Sequence, residues 1–342
     1  MDLETLWIDP VDTCNLKCIM CSFRAQHTGK NTINLTDFLN LLGQAKEIGV
    51  KNLNFGTTIE PSLYREMPRI IHKSKKTGFN ISMITNLNFI GSGVELFKAL
   101  TLVDNLFISI DAATKKTYED IRKLADWSLL KRNLEKLGQL CTGQNIIARF
   151  AIQRKNINEI AEFVDFIYGF KAFKEITFEP VHLVCVDGNH KSIAWDYEDL
   201  ISCKKWLSLA YKRAKEYGLK CKEHLTLDAI TKNESLFLTK GYNAFLNGCF
   251  QFLYESRFPH SNPCYFLKSN LFISPKMEVY PCPSAYRAGE LLLGDLKKDS
   301  LGKILSSDLV EKLQDGLSIG IRQNVCRYGC STFEGQTDVR EY

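Results

Sequence analysis

Short apolar runs alternate with helical patterns through the first half of the chain, and this alternation limits the possible folds more than any other feature. Each run is short and apolar, as expected for a strand buried on both faces. The predicted strands are 6–8, 53–55, 81–84, 106–110, 146–152 and 176–178, and the helices between them are 35–48, 62–76, 114–122, 129–140 and 157–169. Because successive βα units place their strands in parallel, we predict an α/β protein with helices outside a parallel sheet. Six units are too few for a complete eight-stranded barrel, so a partial barrel or a doubly wound sheet remains, with ligands at the carboxyl ends of the strands.

The chain changes character after the sixth predicted strand. One amphipathic helix is predicted at 196–217, and "LFISPKMEVYPC" is typical of two short strands around a Ser-Pro-Lys turn. A further helix is predicted over "SLGKILSSDLVEKLQDGL". We therefore expect a barrel over 1–180, a bridging helical segment over 181–262 and a small C-terminal α+β domain over 263–342.

Cysteine content and the absence of an export signal indicate metal or redox chemistry. The 342 residues include 12 cysteines, and the first residues lack the basic and apolar regions of a signal peptide. No apolar run approaches the roughly 20 residues of a membrane span, so we expect a cytoplasmic protein without a membrane partner. Thiols stay reduced in that compartment. The net charge of +5 is too small to indicate a nucleic-acid partner.

Three closely spaced cysteines follow the first predicted strand. Cys14, Cys18 and Cys21 have the spacing CxxxCxxC, and they lie at the strand's ligand-facing end. Three thiolates can hold three corners of a [4Fe–4S] cluster and leave the fourth iron open. A zinc site would need a fourth ligand, and His27 is near enough in sequence to keep that alternative open.

A second group of cysteines lies near the C-terminus. Cys264, Cys282, Cys326 and Cys330 fall in a segment with little core of its own, which fits a structural metal or a fully ligated cluster. A zinc ribbon is the alternative, and Cys249 could replace one of these ligands.

Three motifs, "TCNLKCIMCSF", "NFGTTIEPSLY" and "FISIDAATKKTYEDIR", together resemble the radical S-adenosylmethionine (SAM) superfamily. The resemblance implies a partial (β/α)6 TIM-like barrel in which Cys14, Cys18 and Cys21 bind a [4Fe–4S] cluster whose free iron is chelated by SAM. It further implies reductive cleavage of SAM to a 5′-deoxyadenosyl radical, which abstracts a substrate hydrogen atom. The cluster must be reduced, so an electron donor such as flavodoxin or ferredoxin is implied.

The C-terminal run "NPCYFLKSNLFISPKMEVYPC", with "CRYGC" further on, resembles the auxiliary-cluster domains called SPASM and its shorter form, twitch. The resemblance implies that Cys264, Cys282, Cys326 and Cys330 ligate one auxiliary [4Fe–4S] cluster.

The resemblance also implies cofactor contacts from the first half of the barrel. Gly56, Glu60 and Pro61 match a glycine-rich stretch that ends in Glu-Pro and binds the ammonium group of SAM, a pairing that opposite charge favours. Met20 stands where the family often has an aromatic residue, and contact with adenine there is largely through backbone.

Further contacts are expected from the fourth and fifth strands. Ser109 and Asp111 lie two residues apart, so both are expected on one face, toward the ribose hydroxyls and the methionine end. Arg149 and Gln153 could share the inner face of the fifth strand, where a cation suits the cofactor carboxylate.

Three residues near the end of the sixth strand are candidate catalytic groups. Cys185 could donate a hydrogen atom to a substrate radical, and His182 or Glu179 could act as a general base. We predict a radical SAM enzyme that oxidises an alcohol carbon of a sugar- or cyclitol-type small molecule, with the auxiliary cluster as electron acceptor. The alternatives are an epimerase, an enzyme that modifies a ribosomal peptide by steps such as thioether formation, and a non-catalytic zinc-binding protein.

Overall fold

One ten-stranded sheet organises the computed structural model, which describes residues 3–89, 93–141, 143–181, 193–223, 226–246, 249 and 269–318. The strand order is β10-β9-β8-β1-β2-β3-β4-β5-β6-β7. The strands are β1 (Thr5–Ile8), β2 (Asn52–Phe55), β3 (Asn80–Thr85), β4 (Asn105–Ser109), β5 (Asn145–Ile152), β6 (Glu175–Pro180), β7 (Lys220–Glu223), β8 (Asn270–Ile273), β9 (Glu278–Tyr280) and β10 (Gly294–Asp295). From β8 through β7 neighbouring strands are parallel, whereas β9 and β10 are antiparallel. The predicted α/β class is confirmed, and the six predicted strands appear within two residues of their expected bounds.

Helices connect the parallel strands. Two of the predicted helices are interrupted, one at a proline and one at two serines. The helices are α1 (Leu35–Glu47), α2 (Met67–Thr77), α3 (Gly93–Leu100), α4 (Lys115–Ile121), α5 (Trp127–Leu140), α6 (Ile160–Tyr168), α7 (Tyr197–Glu216), α8 (Leu227–Lys240), α9 (Pro283–Ala288), α10 (Leu301–Leu305) and α11 (Asp308–Ser318). The helix predicted at 62–76 is a 3-10 turn followed by α2, because Pro68 can begin a helix but disrupts its interior. The helix predicted over 300–317 is divided at Ser306 and Ser307, into α10 and α11.

The two faces of the sheet differ in polarity. Leu6, Ile81 and Leu106 are fully buried on the outer face, under the helices, whereas alternate residues such as Trp7 and Ser82 are only partly buried. The expectation that these strands are buried on both faces is therefore wrong for β1 to β4. The inner face of a partial barrel borders an open lumen, so polar side chains are tolerated there.

The C-terminal strands extend the same sheet. β8 and β9 are the two strands predicted around the Ser-Pro-Lys turn, and β8 pairs in parallel with β1, with Asn270 opposite Thr5. The proposed domain boundaries stay predictions. Among the helices described, none combines the length and the apolar character that a bilayer span requires.

Candidate cofactor site

The loop after β1 carries the first three cysteines and is fixed against the end of α4. The Lys17 amide donates to the Lys123 carbonyl (2.9 Å), and the Ile19 amide donates to the Ile121 carbonyl (2.9 Å). Cys14, Cys18 and Cys21 are all partly buried in this loop. The backbone bonds therefore hold the three thiols at the carboxyl edge of the sheet.

Nitrogen donors from distant elements point at two of these sulfur atoms. Arg122 Nη1 lies 3.8 Å from Cys18 Sγ, and Asn86 Nδ2 lies 3.9 Å from Cys14 Sγ. Burial raises the pKa of Cys14 to about 12 and that of Cys18 to about 11, although Arg122 favours the thiolate of Cys18. Free thiols here stay protonated at neutral pH, and a bound metal would have to displace those protons. N–H donors near the sulfur atoms suit an anionic iron–sulfur cluster.

The side chains near the three thiols bear on the choice between a cluster and a zinc ion. In the described part of the chain, no three Cys, His, Asp or Glu side chains converge closely enough to hold a single metal ion. Tetrahedral zinc needs such convergence, whereas a cubane binds each thiolate through a different iron. His27, the suggested fourth zinc ligand, places its Nε2 atom 2.6 Å from the Thr58 carbonyl oxygen. This contact joins His27 to the loop after β2.

The loop after β2 approaches β3 closely at Gly56. This residue has φ of +86°, and a Cβ there would lie 2.2 Å from the carbonyl oxygen of Ile84. The amides of Gly56, Thr57 and Thr58 donate to the buried carboxylate of Asp9 at 3.2, 3.1 and 2.9 Å. Burial raises the pKa of Asp9 to about 6, against the opposing effect of these hydrogen bonds. Sequence reasoning missed Asp9, and the only signal was a carboxylate at the end of an apolar strand.

Glu60 links this loop to the end of β3 and the residue that follows it. Its carboxylate accepts from Thr85 Oγ1 (2.7 Å), from the Asn86 amide (2.7 Å) and from the Ser62 amide next to Pro61 (3.1 Å). Burial raises the pKa of Glu60 in spite of these donors. A carboxylate offers about four acceptor positions, so one more donor, such as an ammonium group, can be accommodated.

Asp111 and Arg122 form a buried ion pair beside the loop that carries Cys14, Cys18 and Cys21, here called the ligand loop after the role predicted for it. Arg122 Nη2 lies 2.6 Å from Asp111 Oδ2, and the Ala151 amide donates to Asp111 Oδ1 at 2.7 Å. Asp111 lies beyond the end of β4 with φ of +66°, so the strand alternation that was expected to pair it with Ser109 ends before it. Burial alone would lower the pKa of Arg122, but the Asp111 carboxylate raises it. Arg122 thus contacts both Asp111 and Cys18.

Polar groups line the inner face near the carboxyl ends of β4 to β6. Ser109, Arg149 and Thr177 are aligned in register across the three strands. Arg149 Nη2 lies 2.6 Å from Glu179 Oε2, and both side chains remain about 30% exposed. Within the described residues, both amide atoms of fully buried Gln153 and the hydroxyl of buried Thr177 lack a hydrogen-bond partner.

Met20 borders a small apolar cluster that lies between the ligand loop and the last strands of the barrel. Met20 and Ala151 pack against its buried members, which are Ile19, Ile121, Val181 and Ile193. An apolar wall at this point suits a flat aromatic group such as adenine.

Five predicted site residues lie outside the described part of the chain, namely Cys185, His182, Cys264, Cys326 and Cys330. Cys282 is described, and its Sγ accepts from the Ala285 amide (3.4 Å) at the beginning of α9.

Two family profiles and several curated relatives match parts of this chain. The radical SAM superfamily profile matches residues 8–167, and the profile of the SPASM iron–sulfur cluster-binding domain matches 264–331. A probable GTP 3′,8-cyclase of Sulfolobus acidocaldarius is 26% identical over 167 residues, which are 48% of this chain and 52% of the relative. The chain thus spans about half the length of the curated relatives it matches.

Solved structures extend the similarity over nearly the whole chain. Streptococcus suis SuiB bound to its precursor peptide SuiA matches with a TM-score of 0.67 and 17% identity, over 98% of this chain and 71% of SuiB. The enzyme anSMEcpe with bound AdoMet matches with a TM-score of 0.63 and 17% identity, over 97% of this chain and 84% of anSMEcpe. At these identities the likeness concerns the fold. The two matched domains imply a SAM-binding [4Fe–4S] cluster and auxiliary iron–sulfur binding. The chain therefore contains a radical SAM domain over 8–167 and a SPASM iron–sulfur cluster-binding domain over 264–331.

Proposed function

We propose that this enzyme oxidises an alcohol carbon of a small, hydroxyl-rich molecule bound on the inner face of the sheet. The observation that carries the proposal is the group of polar side chains below the ligand loop, Ser109, Arg149, Thr177 and Glu179. Hydroxyl groups that leave water need hydrogen-bond partners, and this face offers donors and acceptors at the carboxyl ends of the strands. The unpartnered hydroxyl of Thr177 supports the same assignment.

The residues around the loop would hold the cofactors. Cys14, Cys18 and Cys21 are the proposed ligands of the first cluster, and Glu60 is the proposed acceptor for the SAM ammonium group. Cys264, Cys282, Cys326 and Cys330 are the proposed auxiliary ligands. When bound, these groups supply a carbon radical that removes a hydrogen atom and an acceptor for one electron.

The chain itself would handle the proton. Loss of a hydrogen atom, a hydroxyl proton and one electron from an alcohol carbon leaves a ketone. Glu179 is a carboxylate on the inner face, and Arg149 at 2.6 Å stabilises its charge. His182 is the alternative base. If Cys185 instead returned a hydrogen atom to the carbon, the reaction would be an epimerisation, and Cys185→Ala would stop it without affecting oxidation.

Replacement of the three loop cysteines tests the first cluster. We expect the Cys14→Ala, Cys18→Ala, Cys21→Ala protein to lose reductive formation of 5′-deoxyadenosine and part of its iron and sulfide, while keeping the auxiliary iron. Cys141→Ala is a matched control, because Cys141 is a buried cysteine at the end of α5. Zinc without acid-labile sulfide in the anaerobically prepared protein would contradict the assignment.

Deuterium transfer tests the substrate class. We expect deuterium from a carbon-bound position of a labelled cyclitol or sugar to appear in 5′-deoxyadenosine, together with a ketone product. GTP serves as a second arm, because curated relatives are named GTP 3′,8-cyclases. Transfer from GTP and from no cyclitol or sugar would contradict alcohol oxidation.

Peptide modification is the second candidate. It is favoured by the match over 98% of this chain to SuiB bound to a precursor peptide. The third arm of the deuterium experiment is therefore a labelled peptide, and transfer only from that arm would replace the first proposal with this one.

A further inference from the structure

A basic surface lies beside the loop that carries the proposed cluster ligands. The bond from the Lys17 amide to the Lys123 carbonyl (2.9 Å) places these two exposed lysines side by side. Lys17 directly precedes Cys18 in the chain. The positive charge therefore lies next to a proposed ligand, on the solvent side of the loop.

Two more lysines extend this charge. Lys123 Nζ lies 2.9 Å from Asp120 Oδ1, and Lys116 and Lys155 are both exposed. Lys123 holds the pKa of the Asp120 carboxyl below its usual range, with Lys155 and Lys116 adding to the effect. Three lysines thus face one carboxylate, and the surface keeps a net positive charge.

The next acidic side chains are occupied at the beginning of α5. Glu119 Oε1 accepts from the Trp127 amide at 3.2 Å. Asp126 Oδ1 accepts from the amides of Ser128 and Leu129 at 2.7 and 3.0 Å. These bonds direct both carboxylates toward the helix end, so of the four lysines only Lys123 has a carboxylate partner among the described residues.

An exposed leucine lies beside this charge. Leu124 follows Lys123, has φ of +71° and is 70% exposed. A bulky residue with positive φ is a conformational outlier, and such outliers concentrate at binding and active sites. With so much of its surface in water, Leu124 gains little from burial that would offset the unfavourable backbone.

We infer that Lys17, Lys116, Lys123, Leu124 and Lys155, here called the loop-flank surface, dock a reduced flavodoxin-type protein of net negative charge. The inference rests on the proposed function, because it assumes a cluster held by Cys18 and its neighbours. Lysines around an apolar centre complement an acidic protein whose flavin ring has an apolar edge. The carrier is oxidised by one electron as the cluster is reduced by one, and no bond is made or broken.

Charge reversal tests the inference without requiring substrate turnover. Cluster reduction by a purified acidic flavodoxin, chemically pre-reduced, is followed by stopped-flow absorbance, and flavodoxin binding is measured by calorimetry at low and high salt. We expect Lys17→Glu, Lys123→Glu to slow reduction by flavodoxin about tenfold or more and to remove its salt dependence. Reduction of the same cluster by dithionite should stay within about twofold of the parent protein.

Matched variants separate docking from general charge and from folding. Lys73→Glu, Lys76→Glu makes the same charge change at two exposed lysines of α2, and we expect no effect on flavodoxin. Leu124→Gly relieves the left-handed backbone and removes the apolar contact, so we expect weaker flavodoxin binding with unchanged or greater stability.

Three results would overturn the inference. One is an unchanged flavodoxin rate in the Lys17→Glu, Lys123→Glu protein. Another is an equal loss with dithionite, which would indicate damage to the cluster loop itself. The third is tighter, salt-dependent binding of a single-stranded DNA 30-mer than of flavodoxin, since that would assign the lysines to nucleic acid. A protein that takes up electrons from flavodoxin but turns over no alcohol would contradict the proposed substrate and leave the docking surface intact.

Discussion

The two halves of the candidate site hold their carboxylates in different ways. On the β1–β3 side, Asp9 and Glu60 are buried and receive only neutral donors, which are backbone amides and threonine hydroxyls. On the β4–β6 side, Asp111 is paired with Arg122 and Glu179 with Arg149, each at 2.6 Å. Among the described residues, Asp9 and Glu60 thus have neutral partners, whereas Asp111 and Glu179 each have an arginine partner.

The carboxylates of the first half position loops, whereas the arginine pairs of the second half set the local charge. Neutral donors offset only part of the cost of burial, so the pKa of Asp9 rises to about 6 and that of Glu60 also rises. Their hydrogen bonds fix the loops that follow β2 and β3. The arginine pairs instead place fixed charge next to Cys18 and on the inner face of the sheet.

Removal of Arg122 should have the largest effect, because it leaves a charge buried without its partner. We expect Arg122→Met to lower the free energy of unfolding by about 3–5 kcal/mol, since Asp111 is only 1% exposed. Urea denaturation under anaerobic conditions measures the change. Arg122→Lys keeps the positive charge but not the planar guanidinium group, so its free energy of unfolding should fall by less than that of Arg122→Met.

A double variant checks the cause of that loss. Asp111→Asn, Arg122→Met removes both charges, so it should be more stable than Arg122→Met alone. If the single variant lost under about 1 kcal/mol, the ion pair would not determine the stability of this half.

Gly56 gives the next test, on the uncharged side. We expect Gly56→Ala to lose about 3 kcal/mol of unfolding free energy, from the left-handed backbone together with the clash against the Ile84 carbonyl. Gly49 has nearly the same φ (+87°) but no atom near its missing Cβ, so Gly49→Ala should lose only about 1–2 kcal/mol. Equal losses in the two variants would show that the close contact of Gly56 with the Ile84 carbonyl adds nothing to the effect of the left-handed backbone.

Local patterns predicted the strands and singled out the three cysteines proposed as cluster ligands, but they did not predict the contacts between the loops. The apolar runs and the CxxxCxxC spacing are encoded within a few residues, so they were visible in the sequence. The contact between Arg122 and Cys18 joins residues 104 positions apart, and it depends on the return of α4 to the ligand loop. The role of Asp9 likewise depends on the parallel pairing of β1 with β2, which brings residues 56–58 to its carboxylate. A single acidic residue at the end of a strand carries no spacing signal for such a contact.

Asp9 should make stability depend on pH. Its pKa in the folded protein is raised to about 6, so its stabilising contribution is complete below the unfolded pKa near 4 and is lost as the pH rises through 6. We expect the parent protein to lose up to about 3 kcal/mol from this group between pH 4 and pH 7. Unfolding free energies of parent and Asp9→Asn proteins, compared at each pH, isolate this contribution from that of other carboxyls.

The pH dependence expected for Asp9 is opposite in sign to that expected for Asp12. Asp12, three residues further on, accepts from Thr28 and Asn31, and in spite of burial these bonds hold its pKa below the usual range, so its contribution to stability is lost on acidification. If the parent protein instead became more stable relative to Asp9→Asn as the pH rose, the folded protein would favour the Asp9 carboxylate. The first half of the site would then behave like the second.

The smallest effect is expected for Arg149, and salt should distinguish it from Arg122. Because Arg149 and Glu179 are each about 30% exposed, we expect Arg149→Gln to lose only about 1 kcal/mol of unfolding free energy. Water reaches this pair, so most of that loss should disappear in 1 M sodium chloride, where the Debye length is about 3 Å. The loss in Arg122→Met should persist, because its partner is sealed from solvent. A salt-independent loss at Arg149 would mean that the inner face is closed to water, which would contradict the proposal that a polar substrate reaches Glu179.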